Sequence, residues 1–237
     1  MANAVTKVNG IAIADIAKIS GQNDSDLAKL NALEFTGTPA DAHTLISTPL
    51  NITTSDTAVS TVTVTSGIDS TYDVYEFHFI NIVPETNASI LAFQVDVADG
   101  TSYQQPITST AAEAEHAEDD SGPAVQYRSN RDLANDDNDS ESNYQQLTEY
   151  IYNGVGDESA SGVLTLFAPS SGTYIKHWIS VVNSYGNAGT QVSHHAGYIN
   201  QTSAIDRIRF LMTANDPATL QDKITSGTIK MYGLATS

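Results

Sequence analysis

Histidine is the residue of this chain that most often supports catalysis or metal binding. The sequence contains His43, His78, His116, His177, His194 and His195. Neighbouring residues of a strand point to opposite faces of a sheet, so His194 and His195 cannot easily bind one metal ion together. Either one could join His78 or His177 across a sheet, or meet its own copy on a threefold axis. Polar strand positions or interface histidines are the simpler interpretation, and we expect no metal site here.

Carboxylates are concentrated in the stretch 136–141, where oxygen-bearing side chains alternate as they do in calcium-binding loops. The stretch lacks the glycine and the correctly spaced glutamate of an EF-hand. A looser Ca²⁺ site formed by Asp137, Asp139 and Glu141 is the alternative to a solvated acidic loop, which we favour. No spacing selects two of these carboxylates as a glycosidase pair. Phosphate-binding Gly-rich loops, HExxH and GxSxG are absent from the sequence, so we expect a non-enzymatic protein without a cofactor.

The single tryptophan lies in an alternating segment, Tyr174–Ser180. Alternation places the aliphatic residues of this segment on one face and Tyr174, Lys176 and Trp178 on the other. If the aliphatic face belongs to the core, these three residues form a patch on the outside of the sheet. Such a patch could stack on a sugar ring or fill a subunit interface. The interface is the more economical interpretation, because large aromatic side chains are usually buried somewhere.

Composition limits the partners that this chain can have. Its 237 residues include 28 acidic and 10 basic ones, which gives a formal net charge of −18. Such a charge opposes contact with DNA, RNA and anionic membrane surfaces, and it favours cations or a basic partner. The absence of cysteine excludes disulfides and thiolate metal sites. No secretory signal is visible, and no apolar run approaches the roughly 18 residues of a membrane span. We therefore expect neither nucleic-acid binding nor membrane insertion.

The first 35 residues contain a repeat with an eleven-residue period, in which Lys7–Gly10, Lys18–Gly21 and Lys29–Ala32 are equivalent. Glycines inside the pattern disfavour a continuous helix, so we expect tight Asn-Gly or Ser-Gly turns that alternate with short helical turns. Each repeat has too few apolar residues for a core of its own. We interpret 1–50 as an anchoring segment rather than a mobile arm. The residues expected to dock are Val8, Ile11, Ile13, Ile16, Ile19, Leu27, Leu30 and Leu33.

From about residue 55 the hydrophobic period changes to two, which is typical of half-buried strands. Alternating runs occur at 72–82, 89–97, 145–152, 162–168, 174–183, 191–199, 204–213 and 227–233. The absence of crossover helices predicts a mainly β fold over 51–237, an antiparallel jelly-roll-like β-sandwich. The segment at about 109–143 is strongly acidic and almost devoid of large aliphatic residues. We expect it to form a long loop on the surface of the sandwich.

Segments at both ends of the chain resemble virion structural proteins of bacteriophages, especially marine and cyanobacterial ones. Val8–Lys18 resembles their repeated INGVAIADIAKING leader. Tyr72–Phe77 and Ile82–Pro84 are similar to the first strand pair of many phage appendage domains, and Ser226–Leu234 is similar to their GTIRLYGI ending. The resemblance implies a β-sandwich building block of a capsid decoration, a head or tail fibre or another appendage. It also implies a homo-oligomer, for which we expect a trimer, and it supplies no catalytic residues.

The sequence thus predicts a non-enzymatic virion structural protein that is assembled in the host cytoplasm. Its segment 1–50 docks onto another virion protein of the capsid, neck or tail, and the sandwich projects from it. A binding module that recognises a host-surface glycan through the Trp178 patch or the acidic loop is the alternative. A depolymerase is the third hypothesis, which the lack of an evident carboxylate pair on adjacent strands disfavours.

Overall fold

The computed structural model describes residues 7–8, 11–12, 18–19, 22–23, 29–30, 33–34, 43–46, 50–52, 60–136, 144–154, 157–186, 189–214 and 222–234. The chain divides into two compact units, Met1–Ala42 and His43–Ser237. Across the described residues every strand pairing is antiparallel and no helix occurs.

The first unit contains three short hairpins that recur at eleven-residue intervals. Their strands are β1 (Lys7–Val8) with β2 (Ile11–Ala12), β3 (Lys18–Ile19) with β4 (Gln22–Asn23), and β5 (Lys29–Leu30) with β6 (Leu33–Glu34). The innermost pairs, such as Val8 with Ile11, enclose two residues in each hairpin. The pairing recurs with the predicted eleven-residue period, and the predicted turn residues 9–10 and 20–21 lie outside the described residues. The helical turns expected between them fall on 13–17 and 24–28, outside the described residues.

The described part of the second unit contains fourteen strands. They are β7 (His43–Leu45), β8 (Leu50–Ile52), β9 (Thr61–Val64), β10 (Val74–Pro84), β11 (Ile90–Val97), β12 (Ile107–Ala117), β13 (Ala124–Tyr127), β14 (Ala134–Asp136), β15 (Gln145–Gln146), β16 (Ala160–Phe167), β17 (Lys176–Gly186), β18 (Gly189–Ile199), β19 (Ile205–Thr213) and β20 (Ile224–Leu234).

These strands form two antiparallel sheets. The small sheet has the order β15-β11-β19-β9, and the large sheet has the order β13-β12-β18-β17-β16-β10-β20-β7, with β14 beside β12 and β8 beside β20. Eight strands form the jelly roll, and in chain order they are β7 together with β8 as one strand, then β9, β10, β11, β15, β16, β19 and β20. When they are numbered one to eight in this order, the large sheet has the order 1-8-3-6 and the small sheet has the order 2-7-4-5. This is the double Greek-key order of a jelly roll, so the predicted fold is confirmed.

The apolar core lies between the small sheet and the part of the large sheet formed by β16, β10 and β20. Alternation along β10 turns Tyr75, Phe77 and Phe79 inward, as the sequence predicts. The ring of Phe210 from β19 lies 5.3 Å from that of Phe77 and 5.1 Å from that of Phe79. Each buried aromatic ring removes a large apolar area from water, and tilted or edge-to-face contacts add about 1 kcal/mol per pair. The middle of the sandwich is therefore closed by hydrophobic packing.

Two insertions extend the large sheet beyond the jelly roll. One is the long hairpin β17–β18, and the other is the excursion β12–β14 between the fourth and fifth strands of the jelly roll. The expectation of a surface loop over 109–143 is wrong for its first half, because β12 pairs with β18 along its whole length, from Ile107 to Ala117. Ala and Glu occupy six of the eleven positions of β12. Both residues have weak β-propensity, so the sequence conceals the strand.

Two boundaries also differ from the sequence prediction. The strands β7 and β8 pair with β20, so the sandwich includes residues that were assigned to the anchoring segment 1–50. The run at 145–152 forms only the short strand β15 and one isolated bridge between Ser89 and Ile151. The strands β7 and β8 have three residues each, which are too few for a clear period-two pattern.

Candidate functional site

The residues expected to dock are distributed over the hairpins of the first unit. The described hairpins contain Val8, Ile11, Ile19, Leu30 and Leu33. Ile13, Ile16 and Leu27 lie outside the described residues. Val8 pairs with Ile11 and Leu30 pairs with Leu33, so apolar residue types flank the turn at the same register in the first and third hairpins. Two-stranded hairpins are marginally stable in water at best, so these short ones require contacts beyond their own strands.

The proposed patch of Tyr174, Lys176 and Trp178 is not on the outside of the sheet. Trp178 and Lys176 are buried on the inner face, whereas Ile179 is 49% and Val181 is 41% exposed. The Trp178 ring packs edge-to-face on that of Phe93 from the small sheet, with 5.1 Å between the centroids. Of the three residues, Tyr174 is the one that is exposed. The assumption that the aliphatic face forms the core is therefore wrong, because packing the larger indole ring against the small sheet buries more apolar area.

The side chain of Lys176 is buried and hydrogen-bonded to the backbone. Its side chain is completely buried, and Nζ donates hydrogen bonds to the carbonyls of Tyr174 (2.9 Å), Gln201 (2.9 Å) and Thr202 (2.8 Å). Burial lowers the pKa of this ammonium group. The three carbonyls belong to the segments that precede β17 and follow β18, so Lys176 ties both ends of the hairpin together and is not available to a ligand.

The acidic segment contributes a buried network of ion pairs. Arg131 donates from Nε and Nη2 to the two carboxylate oxygens of Glu149, at 2.7 Å each, and both side chains are buried. Arg128 donates in the same bidentate manner to Glu113 of β12, at 2.6 and 3.1 Å. Planar two-point pairs of this kind are the strongest arginine–carboxylate contacts. They tie the described residues around Arg128, Arg131 and Glu149 to the inner face of the extension.

His195 belongs to the same buried layer. Burial lowers its pKa to about 4, although contact with the backbone of Leu147 and the charge of Glu149 raise it in part. Its Nδ1 has no hydrogen-bond partner, and neither have the Oγ of Ser180, which is its cross-strand neighbour, or the Nε1 of Trp178. Buried polar atoms of this kind are usually satisfied by ordered water. The layer is enclosed by the protein, so its groups cannot reach a substrate from solvent.

The remaining predicted candidates do not converge on a metal ion. His194 is exposed on the outer face and His195 is buried on the inner face, so the two histidines point apart as the alternation predicts. Among the described residues no group of three or more His, Cys, Asp or Glu side chains could hold a metal ion. Asp137, Asp139 and Glu141 lie outside the described residues.

A histidine–carboxylate cluster that the sequence does not suggest lies on the outer face of β7, β10 and β20. The Nε2 of His43 lies 3.1 Å from Oε2 of Glu76, and the Nε2 of His78 lies 2.9 Å from the same oxygen. The ring of Tyr232 packs against that of His78, with 4.8 Å between the centroids. The two histidines share one carboxylate oxygen, and the cluster links the first strand of the jelly roll to its neighbours.

A groove of about 510 Å³ lies at the end of the extension, between β12, the turn after it, and the start of β18. Glu115, Glu118 and Asp119 contribute carboxylates to its lining. The side chain of Asp119 already accepts hydrogen bonds from the backbone and the hydroxyl of Ser121, which lower the pKa of this carboxyl. The groove is acidic, and the side chains of Gln126 and Gln191 donate hydrogen bonds to the carboxylate of Glu115.

The outer face of the extension has an unusual distribution of charge. The side chains of β13, β12, β18, β17 and β16 that point outward include no Asp, Glu, Lys or Arg, and these strands are described in full. Ile179 and Val181 lie near its centre, and Val125 (84% exposed) and Tyr127 (57% exposed) lie at one side. Sequence periodicity places these residues on one face, but it cannot show that the face is exposed.

No helix among the described residues is long and apolar enough to span a membrane. Comparison of the chain with protein-family models, with curated proteins and with solved structures finds no match.

Proposed function

We propose that this protein is a non-enzymatic structural component of a bacteriophage particle. The segment 1–42 docks onto another virion protein of the capsid, neck or tail. The jelly roll of 43–237 projects from that anchor as a fibre, appendage or capsid-decoration domain. Copies of the chain associate as a homo-oligomer, for which the resemblance indicates a trimer, and assembly takes place in the host cytoplasm.

The observation that carries this proposal is the recurrence of one hairpin in the first unit. Three hairpins with the same register follow one another at eleven-residue intervals, and the pairs Val8–Ile11, Ile19–Gln22 and Leu30–Leu33 are equivalent. Strands of two residues cannot enclose a core, so their stability must come from a surface on which they lie. A repeated segment of this kind fits a repeated or elongated docking surface, such as that of a virus particle.

The architecture of the second unit is compatible with the same role. Jelly rolls occur in viral capsid domains and also in lectins. The glycan-binding alternative rested on an aromatic patch around Trp178 or on the acidic loop, and Trp178 is buried against Phe93. The virion role does not depend on an exposed Trp178, so we favour it over glycan binding.

The test is to locate the protein in particles. Phage-producing cells are supplied with an epitope-tagged full-length copy, and purified particles are examined by immunoblotting and electron cryo-microscopy. We expect the tagged chain in the particles, with density for 1–42 against a neighbouring virion protein.

A matched pair of variants assigns incorporation to the repeat. Leu30→Asp with Leu33→Asp changes the third hairpin, whereas Leu45→Asp changes an exposed residue of β7. We expect the double variant to be lost from particles and Leu45→Asp to be retained. A wild-type chain that stays in the soluble fraction and never sediments with particles would refute the proposal.

A further inference from the structure

The outer face of the extension is a large surface that avoids charge in a strongly acidic protein. The chain carries 28 acidic and 10 basic residues, yet none of them points outward from β13, β12, β18, β17 or β16. The central rows of this face pair Val163 with Val181 and Thr165 with Ile179. The adjoining residues of β18 are His194 and Ala196. A surface that only had to remain soluble would not be expected to exclude charge over five neighbouring strands.

Charged groups reappear at the borders of this face. Glu76 lies on β10, the next strand beyond β16. On the opposite side the hydroxyl of Tyr127 donates a hydrogen bond to the carboxylate of Asp132. An uncharged centre with aromatic residues and a polar rim is the usual composition of a protein–protein interface. The ring pair His177 and Tyr198, with 6.3 Å between centroids, lies at one end of the face.

The area of the face fits an association between proteins. With strands about 4.8 Å apart and a rise of about 3.4 Å per residue, five strands of this length cover roughly 700 Å². Stable interfaces bury about 800 Å² on each partner. The face therefore has the size of a complete interface rather than of a subsite for a small molecule.

We infer that this face packs against a second copy of the same chain. Two copies with a formal net charge of −18 each repel one another over most of their surfaces. They can approach closely only where both are uncharged, and this face provides such a surface. A basic partner would instead be attracted to the acidic parts of the molecule, so the exclusion of charge is explained by contact with the same acidic chain. The inference rests on the proposed function for its setting, since an appendage is built from several copies.

The test uses the full-length purified chain and a matched pair of variants in sedimentation-velocity ultracentrifugation. Ile179→Glu places a carboxylate in the centre of the face, whereas Leu45→Glu places one at a residue of similar exposure, 45% against 49%, on β7 of the same sheet. We expect an oligomeric wild type, association weakened about tenfold or more in Ile179→Glu because like charges oppose one another at an interface, and no change in Leu45→Glu.

A second substitution distinguishes weakened association from a loss of folding. Thr110 is an exposed, polar residue on the same face, and it pairs with Ala196 of β18. Thr110→Glu should weaken association without loss of the cooperative thermal transition. A monomeric wild type at micromolar concentration, or oligomers that persist in both Ile179→Glu and Thr110→Glu, would overturn the inference.

The self-association test can fail or succeed independently of the test of the proposed function. Incorporation into particles is measured on the repeat variants, and self-association is measured on purified protein. An oligomeric chain that is absent from particles would refute the virion role alone. A chain that enters particles but remains monomeric in solution would refute this interface alone.

Discussion

The inner face of the large sheet has two halves that are closed in different ways. Under the jelly roll, β10 and β20 present Tyr75, Phe77, Phe79 and Met231 to the small sheet. In the extension, the buried inward positions of β17, β18 and β12 include Ser180, Ser184, Gln191, Ser193, His195 and Glu113. The first half is closed by a second sheet, and the second half is covered by described residues around Arg128, Arg131 and Glu149.

The two halves differ in how much stability they lose when their packing is imperfect. Apolar contacts are non-directional, and a loss is measured by the area and volume removed. Buried polar groups require specific partners, and each unpaired group costs about 1–3 kcal/mol. Five buried polar atoms of β17 and β18 have no partner among the described residues. They are Trp178 Nε1, Ser180 Oγ, Ser184 Oγ, Gln191 Oε1 and His195 Nδ1. The jelly-roll half therefore supplies most of the stability, and the polar half makes it depend on pH and on single hydrogen bonds.

The largest effect is expected in the apolar half, for Phe210→Ala. Phe210 is fully buried between the rings of Phe77 and Phe79. The cavity and the lost transfer free energy should lower the free energy of unfolding by about 5 kcal/mol. Urea denaturation of the variant measures this loss, with Tyr174→Ala, at an exposed loop position, as the control. A loss below that of the arginine variant described next would contradict the assignment of most stability to this half.

The next largest effect is expected in the polar half, for Arg131→Met. This change leaves the buried carboxylate of Glu149 without its bidentate partner, at a cost of about 4 kcal/mol. The double variant Arg131→Met with Glu149→Leu should recover much of the loss, because no buried charge then lacks a partner. A double-mutant cycle by urea denaturation gives the coupling free energy. Additive losses would show that the pair does not act as a unit.

The pH dependence of the polar half provides a third test, because burial lowers the pKa of His195 to about 4. The folded state keeps this imidazole neutral, whereas the unfolded chain takes up the proton below its ordinary pKa of about 6.5. Stability from this residue is therefore fully present above pH 6.5 and declines as the pH falls toward 4, by about 3 kcal/mol in total. His195→Gln should show a shallower decline between these pH values in urea denaturation. An equally steep decline in His195→Gln and in the wild type would contradict the assignment of this pH dependence to His195.

The smallest effects on stability are expected for two buried serines of the polar half, one with a hydrogen-bonded hydroxyl and one without. The Oγ of Ser193 accepts a hydrogen bond from the backbone N–H of Glu149 at 3.1 Å, whereas the Oγ of Ser180 has no partner. Ser193→Ala should cost about 1 kcal/mol, and Ser180→Ala should be neutral or slightly stabilising. Thermal unfolding of the two variants compares them directly. Equal losses would indicate that Ser180 has a partner in solution, such as buried water.

Much of the fold was accessible from the sequence where local pattern and tertiary environment agree. The eleven-residue spacing of the hairpins and the inward face of β10 both follow from local periodicity. The strand β12 was missed because Ala and Glu, which have weak β-propensity, occupy six of its eleven positions and its partner β18 is far away along the chain. The ion pairs of Arg128 and Arg131 were missed for the same reason, since no local pattern joins them to Glu113 and Glu149.

The sequence by itself determined which residues share a face, and it determined the net charge and the spacing of the repeat. Where both faces of a strand carry apolar residues, as in β17, it did not determine which face is inside. Along β17, alternation separated Trp178 from Ile179 correctly, but only the position of the small sheet decided that the tryptophan is buried and the isoleucine is exposed. Period-two alternation is symmetric between the two faces of a strand, and the choice is made by the surfaces that pack against the sheet. The uncharged outer face, and the partner that we infer for it, therefore became visible only when both sheets were in place.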